Sequence, residues 1–200
     1  MRRAGAAGDP ARALAPAPAD TARLAALLRT AERPILLAGH GFESAAGRAA
    51  LQGFAEAWQL PVAVSFRRQD LFPNSHPLYA GDLGLRNPDD QRAAFAEADL
   101  VVALGTRLTD ITTQGWSWPA AGQRLVHVCA DPRFLGWLFP AELALAADAQ
   151  ATIAALAAHA PGRRQDGPTG PGGCMRCMWR IARWRPADSP MASPSPRWRS

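Results

Sequence analysis

Gly39, His40 and Gly41 close an apolar run, Pro34-Ile35-Leu36-Leu37-Ala38, and their types suit contact with a phosphate. Glycine lets a backbone turn sharply and lets another group come close. Bare backbone N–H groups at such a turn, ahead of a helix, attract an anion. Other apolar runs end in comparable residues: Ser65-Phe66-Arg67, Gly105-Thr106-Arg107, and Ala130-Asp131-Pro132. Arg67 and Arg107 offer charge-assisted donors for a phosphate. An acid at the end of a strand, here Asp131, suits a ribose hydroxyl. Each signal is weak alone, since Gly-x-Gly also serves plain tight turns, and Arg107 has a simple alternative in a surface bridge to Asp110.

Other constellations lead to less. Cys174 and Cys177 have redox or zinc spacing but no second cysteine pair and no nearby histidine. Ser65 and Asp82 have no histidine to complete a triad. Of the adjacent pair Arg67 and Arg68, only one can easily face the end of a strand. His76, before Pro77, reads as a turn residue, and Cys129 as a small buried hydrophobe.

These positions need a scaffold, and the hydrophobic pattern supplies one. Residues 34–38, 61–65, 99–105, 124–129 and 142–146 are short, largely apolar runs of the kind buried on both faces of a parallel sheet. Between them, apolar residues fall at helical spacing in 21–31, 44–58, 88–98 and 149–160, with Asp20 and Asp148 as N-caps. Residues 66–84 read as a long loop with a short helical turn, and 106–119 as a second irregular loop. Strand and helix alternate, which calls for an α/β fold, a parallel sheet with helices on both faces. Ligands of such sheets sit at the carboxyl ends of the strands, where the residues named above fall.

Five segments in register carry a resemblance to a known family: PILLAGHG, LPVAVSFRRQDLFPNSHPLYAGDLG, ADLVVALGTRLTD, RLVHVCADP and ELALAADAQATIAAL. Together they resemble the central domain of thiamine-diphosphate-dependent enzymes, in the acetolactate synthase-like group. The resemblance implies a Rossmann-like (DHS-like) sheet of six parallel strands. It implies a parent enzyme, a 2-oxo acid carboligase or decarboxylase, that uses thiamine diphosphate and Mg²⁺ beside a carbonyl. In that group the central domain also holds FAD. Carried to matching positions, the FAD contacts are Gly39, His40, Gly41, Ser65, Arg67, Gly81, Asp82, Gly84, Gly105, Thr106, Arg107 and Asp131. The family usually shows Asp-x-Asp-Pro where this chain has Cys129-Ala130-Asp131-Pro132, so the first acid is missing. The thiamine and Mg²⁺ sites lie in N- and C-terminal domains that this sequence does not contain. The chain therefore reads as a fragment without catalytic residues, whose partners are those domains in a homo-oligomeric parent. A non-catalytic nucleotide-binding or subunit-interaction module is the alternative.

Composition bounds the rest. Two hundred residues allow one well-buried domain and a tail. Residues 1–20 read as a linker or disordered arm, 21–160 as the domain, and 161–200 as a disordered C-terminal tail. Of the 22 basic residues, all arginine, eight lie after Pro161 against two acids there, so the net charge of +5 belongs to the tail. Basicity thus gives the domain no case for nucleic acid. The tail's arginine, proline, serine and tryptophan favour a change of reading frame near Pro161 over a genuine nucleic-acid-binding tail. Three cysteines, no apolar run of membrane-spanning length and no secretory signal fit a cytoplasmic protein.

Overall fold

The computed structural model describes residues 14–159. Its elements run α1 (Pro18–Thr30), β1 (Pro34–Ala38), α2 (Ala45–Trp58), β2 (Val62–Ser65), β3 (Tyr79–Leu83), α3 (Asp89–Ala96), β4 (Leu100–Leu104), β5 (Arg124–Val128), β6 (Leu143–Leu145) and α4 (Ala149–Leu156). The six strands form one sheet in the order β3-β2-β1-β4-β5-β6, and every pairing is parallel. The chain steps outward from β1 to β3, then returns to β1's other side and steps outward through β4, β5 and β6. The reversal between β1 and β4 is the switch point at which open α/β sheets bind ligands.

Continuous apolar runs become strands here because both faces of the sheet are covered. All five residues of β1 and all five of β4 are buried. Side chains alternate between the faces. Leu36, Ala38, Val62, Val64, Val102 and Val126 pack against α1, α2 and α4. Ile35, Leu37, Ala63, Val101, Ala103 and Leu125 pack on the other side with Phe95 and Ala98 from and after α3, and with Leu108 and Trp118. Three helices thus cover one face. One eight-residue helix and the irregular segment 105–123 cover the other.

Side-chain caps start two of the four α-helices among the described residues. The Ser44 hydroxyl accepts the Gly47 N–H at 2.9 Å and starts α2, and the Asp148 carboxylate accepts the Ala151 N–H at 2.8 Å and starts α4. The first helix departs from expectation. It begins at Pro18, with Ala17 as an N-cap that offers no side chain, so Asp20 lies in the first turn instead of capping it. Proline tolerates that position because its missing N–H would be unpaired there anyway.

The larger correction concerns residues 66–84, expected to be a loop. A short helical turn does form at Gln69–Leu71, but Tyr79–Leu83 is a strand. Tyr-Ala-Gly-Asp-Leu shows neither an apolar run nor clean alternation. It pairs only with β2, at the sheet's edge, and its register shifts between Val62 and Val64. An edge strand with a glycine-centred irregularity carries little of the pattern that marks a central strand. Residues 1–13 and 160–200, which include most of the expected arm, the whole tail and the end of the last helix, lie outside the described residues. Among the described residues no helix is long and apolar enough to cross a membrane.

Candidate functional site

The carboxyl ends of β1 and β4 are pinched together. The Gly39 N–H donates to the Leu104 carbonyl at 2.8 Å and the His40 N–H to the Gly105 carbonyl at 2.7 Å, so the ladder continues past both strands. Gly105 has φ +67°, and a Cβ there would stand 1.8 Å from the His40 oxygen. A Cβ on Gly39 would stand 2.6 Å from the Gly105 oxygen. Contacts below 3 Å force a backbone shift, so these two glycines are required by the close approach of the strands.

This corrects one expectation. The N–H groups of Gly39 to Gly41 are not bare. Two complete the β1–β4 ladder, and the Gly41 N–H donates to the Glu43 carboxylate at 2.8 Å. Glu43 was not singled out in the sequence, where it is one acid among many before a helix.

Above the pinch lies a cavity of about 550 Å³. Seven of the expected residues line it: His40, Gly41, Ser65, Gly105, Thr106, Arg107 and Asp131. Gly39 sits at the pinch beside Gly105. Four do not line it. Gly81, Asp82 and Gly84 lie in or beside β3, two strands from β1's far side. The Asp82 side chain accepts a hydrogen bond from Gln69 at 2.9 Å, and the Gly84 carbonyl accepts one from Gln114 at 2.8 Å. Arg67, at φ +61°, is exposed and lays its guanidinium over its neighbour Phe66, 5.3 Å from the ring centre. Arg68 is the arginine of that pair that lines the cavity. Phe66, Phe134 and the N-terminus of α4 at Asp148 and Ala149 also line it, with Thr109, Thr112, Cys129 and Ala130. Phe134 was not anticipated because the turn Pro132–Phe134 that carries it has no periodic signal.

The charges in this cavity are mostly answered from within. Asp131 accepts from Arg133 at 2.6 to 3.1 Å through both carboxylate oxygens, and those side-chain bonds, then the Arg133 backbone N–H, hold its carboxyl below the ordinary range. Glu43 has its Oε1 2.7 Å from His40 Nδ1 and 3.4 Å from an Arg68 nitrogen. Partial burial pushes the Glu43 carboxyl up, but the Glu43 and Gly41 backbone N–H groups and His40 together bring it below its usual value. Arg107 differs. Its guanidinium stacks over Phe134 at 5.5 Å, and no ion pair to Asp110 or to any other carboxylate forms among the described residues.

One buried polar residue positions the wall. His127, on β5, is 1 % exposed, and its Nε2 donates to the Thr106 carbonyl at 2.8 Å. Burial pushes the imidazole pKa down, and the hydrogen bond to Thr106 opposes this only in part. The neutral ring therefore carries its proton on Nε2. Its signal in the sequence was a lone polar residue inside Leu125-Val126-His127-Val128. Among the described residues no three His, Cys, Asp or Glu side chains come together as a metal site, and Cys129 is a buried free thiol.

Comparison with known proteins agrees with this architecture. Residues 21–156 match the thiamine pyrophosphate enzyme central domain. The sulfoacetaldehyde acetyltransferase of Rhodobacter capsulatus is 36% identical over 141 residues, which are 68% of this chain and 24% of that protein. A probable acetolactate synthase large subunit of Methanocaldococcus jannaschii is 28% identical over 141 residues, 70% of this chain and 24% of its own. The glyoxylate carboligase of Escherichia coli O157:H7 is 30% identical over 131 residues, 65% of this chain and 22% of its own. The chain thus spans less than a quarter of the length of these relatives. It belongs to the thiamine pyrophosphate enzymes of the acetolactate synthase-like group, and residues 21–156 are their central domain.

Proposed function

We propose that this domain binds FAD or a related adenine nucleotide across the β1–β4 switch point, as the middle part of a thiamine-diphosphate-dependent enzyme of 2-oxo acids. The observation that carries the reading is Arg107, a cation without a carboxylate partner among the described residues, stacked on an aromatic ring in the wall of a 550 Å³ cavity. That volume lies within the roughly 300–1,000 Å³ of small-molecule sites. Arg107 would hold a phosphate, Ser65 and Thr106 offer hydroxyls, and Phe66 and Phe134 offer flat apolar surface to a ring system. Asp131 is a poorer ribose partner than the sequence suggested, because Arg133 already engages both its oxygens.

The described residues do not fit Mg²⁺, one of the other two cofactors of the family. Mg²⁺ calls for oxygen ligands, and no acid cluster forms among them. Thiamine diphosphate supplies carbanion stabilisation where it is bound. It and Mg²⁺ belong to N- and C-terminal domains of a parent carboligase or decarboxylase. On this reading the chain alone turns over no substrate, and the intact parent is a cytoplasmic homo-oligomer.

A second reading is a subunit-interaction module without a nucleotide. Leu85, 77% exposed, and Trp116, 48% exposed, favour it, because they are large apolar side chains that face solvent. Titration of the full 200-residue chain with FAD and with ADP, followed by flavin fluorescence and calorimetry, separates the two. The nucleotide reading expects saturable binding that Arg107→Ala weakens about tenfold, the loss of roughly one charge-assisted hydrogen bond. Absence of binding by both ligands sinks it and leaves the interaction module.

A further inference from the structure

Glu43 stands just before the Ser44 cap of α2. Its carboxylate accepts one hydrogen bond and has side chains from two strand ends within ion-pair distance, while its Oε1 makes no hydrogen bond of good geometry. Oε2 accepts the Gly41 N–H at 2.8 Å. Oε1 lies 2.7 Å from His40 Nδ1 and 3.4 Å from an Arg68 nitrogen. Gly41 and His40 follow β1, while Arg68 follows β2, so one carboxylate ties two neighbouring loops together. All three donors line the cavity, whereas Glu43 is not among its walls. A backbone N–H, an imidazole and a guanidinium that converge on one oxyanion make a ready set for a phosphate or a ligand carboxylate. The chain itself supplies the anion that holds this set.

We propose that Glu43 is a resident anion of the site. It keeps the His40, Gly41 and Arg68 donors together, and an anionic group of a ligand in the cavity takes them over by exchange. The ligand's identity as a nucleotide rests on the preceding reading, but the exchange itself does not. The cavity then has two kinds of anion contact. Arg107 is ready at once, and the Gly41 set is guarded. His40, with a side chain 81% exposed, is free to turn from the carboxylate to the newcomer, while the Gly41 N–H stays fixed. Exchange costs the ligand the displacement of Glu43, so the guarded set favours groups with more charge than a single carboxylate carries.

The test is calorimetric titration of the full chain at fixed ionic strength with inorganic pyrophosphate, ADP and adenosine. Glu43→Gln keeps an acceptor for the Gly41 N–H and removes the charge. It is expected to tighten pyrophosphate binding about tenfold and to leave adenosine unchanged. Asp89→Asn, at a carboxylate 98% exposed on α3, is expected to change neither. Adding Arg68→Ala to Glu43→Gln is expected to abolish the gain. Pyrophosphate binding equal in the native chain and in Glu43→Gln, or absent from both, overturns the exchange. Binding of both ADP and pyrophosphate that Glu43→Gln leaves unchanged keeps the nucleotide reading and overturns the exchange. A pyrophosphate gain with ADP no tighter than pyrophosphate keeps the exchange and sinks the nucleotide reading. Should Glu43→Gln fail to fold, Glu43→Asp gives the same test. Its carboxylate falls one methylene short of the donors, and the gain has the same sign.

Discussion

The two faces of the sheet are built differently. On one, α1, α2 and α4 lay down helical stripes such as Leu24, Leu27 and Leu28 over valines and leucines of all the strands except β3, which offers Tyr79. On the other, α3 reaches the sheet mainly through Phe95, and segment 105–123 is held by particular hydrogen bonds. The Trp118 indole N–H donates to the Phe95 carbonyl at 3.0 Å, and the Gln123 amide donates to the Phe95 and Ala98 carbonyls at 2.8 and 2.7 Å. The first face is stabilised by repeated, interchangeable apolar contacts. The second depends on a few polar anchors that each tie down irregular backbone. Cavity walls such as Thr106 and Arg107 come from the second kind of structure, hung from the seam between the two halves of the sheet.

A matched pair of substitutions tests this contrast most strongly. Phe54 on α2 packs beside Trp58 at 6.0 Å, and Phe95 on α3 packs beside Trp118 at 5.3 Å. Phe54→Ala is expected to cost about 3–5 kcal/mol of global stability in urea titration. Phe95→Ala is expected to fall at the low end of that range, about 3 kcal/mol, because the irregular segment 105–123 beside it relaxes around the gap. It should also free the amides of α3 and 105–123 in hydrogen exchange while α2 stays protected. Equal costs with uniform loss of protection would erase the distinction.

The next effect is acid sensitivity of the thin face. His127 is neutral in the fold, with its pKa pushed down, and titrates near 6.5 when unfolded. Its contribution is full above pH 6.5 and is lost as pH falls through the lower folded value. His127→Gln should flatten the stability difference between pH 7 and 5 relative to the native chain. An unchanged pH profile would mean that the Thr106 anchor does not depend on the imidazole.

A third effect belongs to the helical face at the alkaline end. Burial, then the charge of Asp82, raises the Tyr79 hydroxyl to about 12. The contribution is full below the unfolded value of about 10 and is lost as pH rises through about 12. Tyr79 is the chain's single tyrosine, so phenolate absorbance reads it directly. Titration near 10 in the folded chain would show that β3 lies open to water.

The same contrast explains what the sequence made legible. The helical face was readable because Leu51, Phe54, Ala55 and Trp58 recur at the spacing of one helix face, and β1 and β4 because they are unbroken apolar runs. β3 escaped because Gly81 and Asp82 interrupt it, and an edge strand needs only one partner to form. At the candidate site, most of the strand-end residues named from the sequence do meet at the sheet's carboxyl edge, since that edge follows from topology. The partners did not follow. Which of Arg67 and Arg68 faces inward depends on a left-handed residue at Arg67, and the use of the Gly39 and His40 N–H groups depends on a close approach of β4. Such contacts join residues far apart in the chain, and no local pattern encodes them.

The pairing of β1 with β4 also sets a timetable for synthesis. β1 leaves the ribosome well before β4, so the edge that pairs with β4 stays open until β4 has emerged. At elongation rates of about 5–20 residues per second, that wait is roughly 3–13 s. Throughout it, Pro-Ile-Leu-Leu-Ala offers an unpaired, wholly apolar strand edge to other nascent chains. Arrested chains that stop before Leu100 should therefore be protease-sensitive and prone to chaperone capture, and chains that extend well past Leu104 should be resistant. The seam that shapes the cavity in the finished domain is, during birth, an exposed liability.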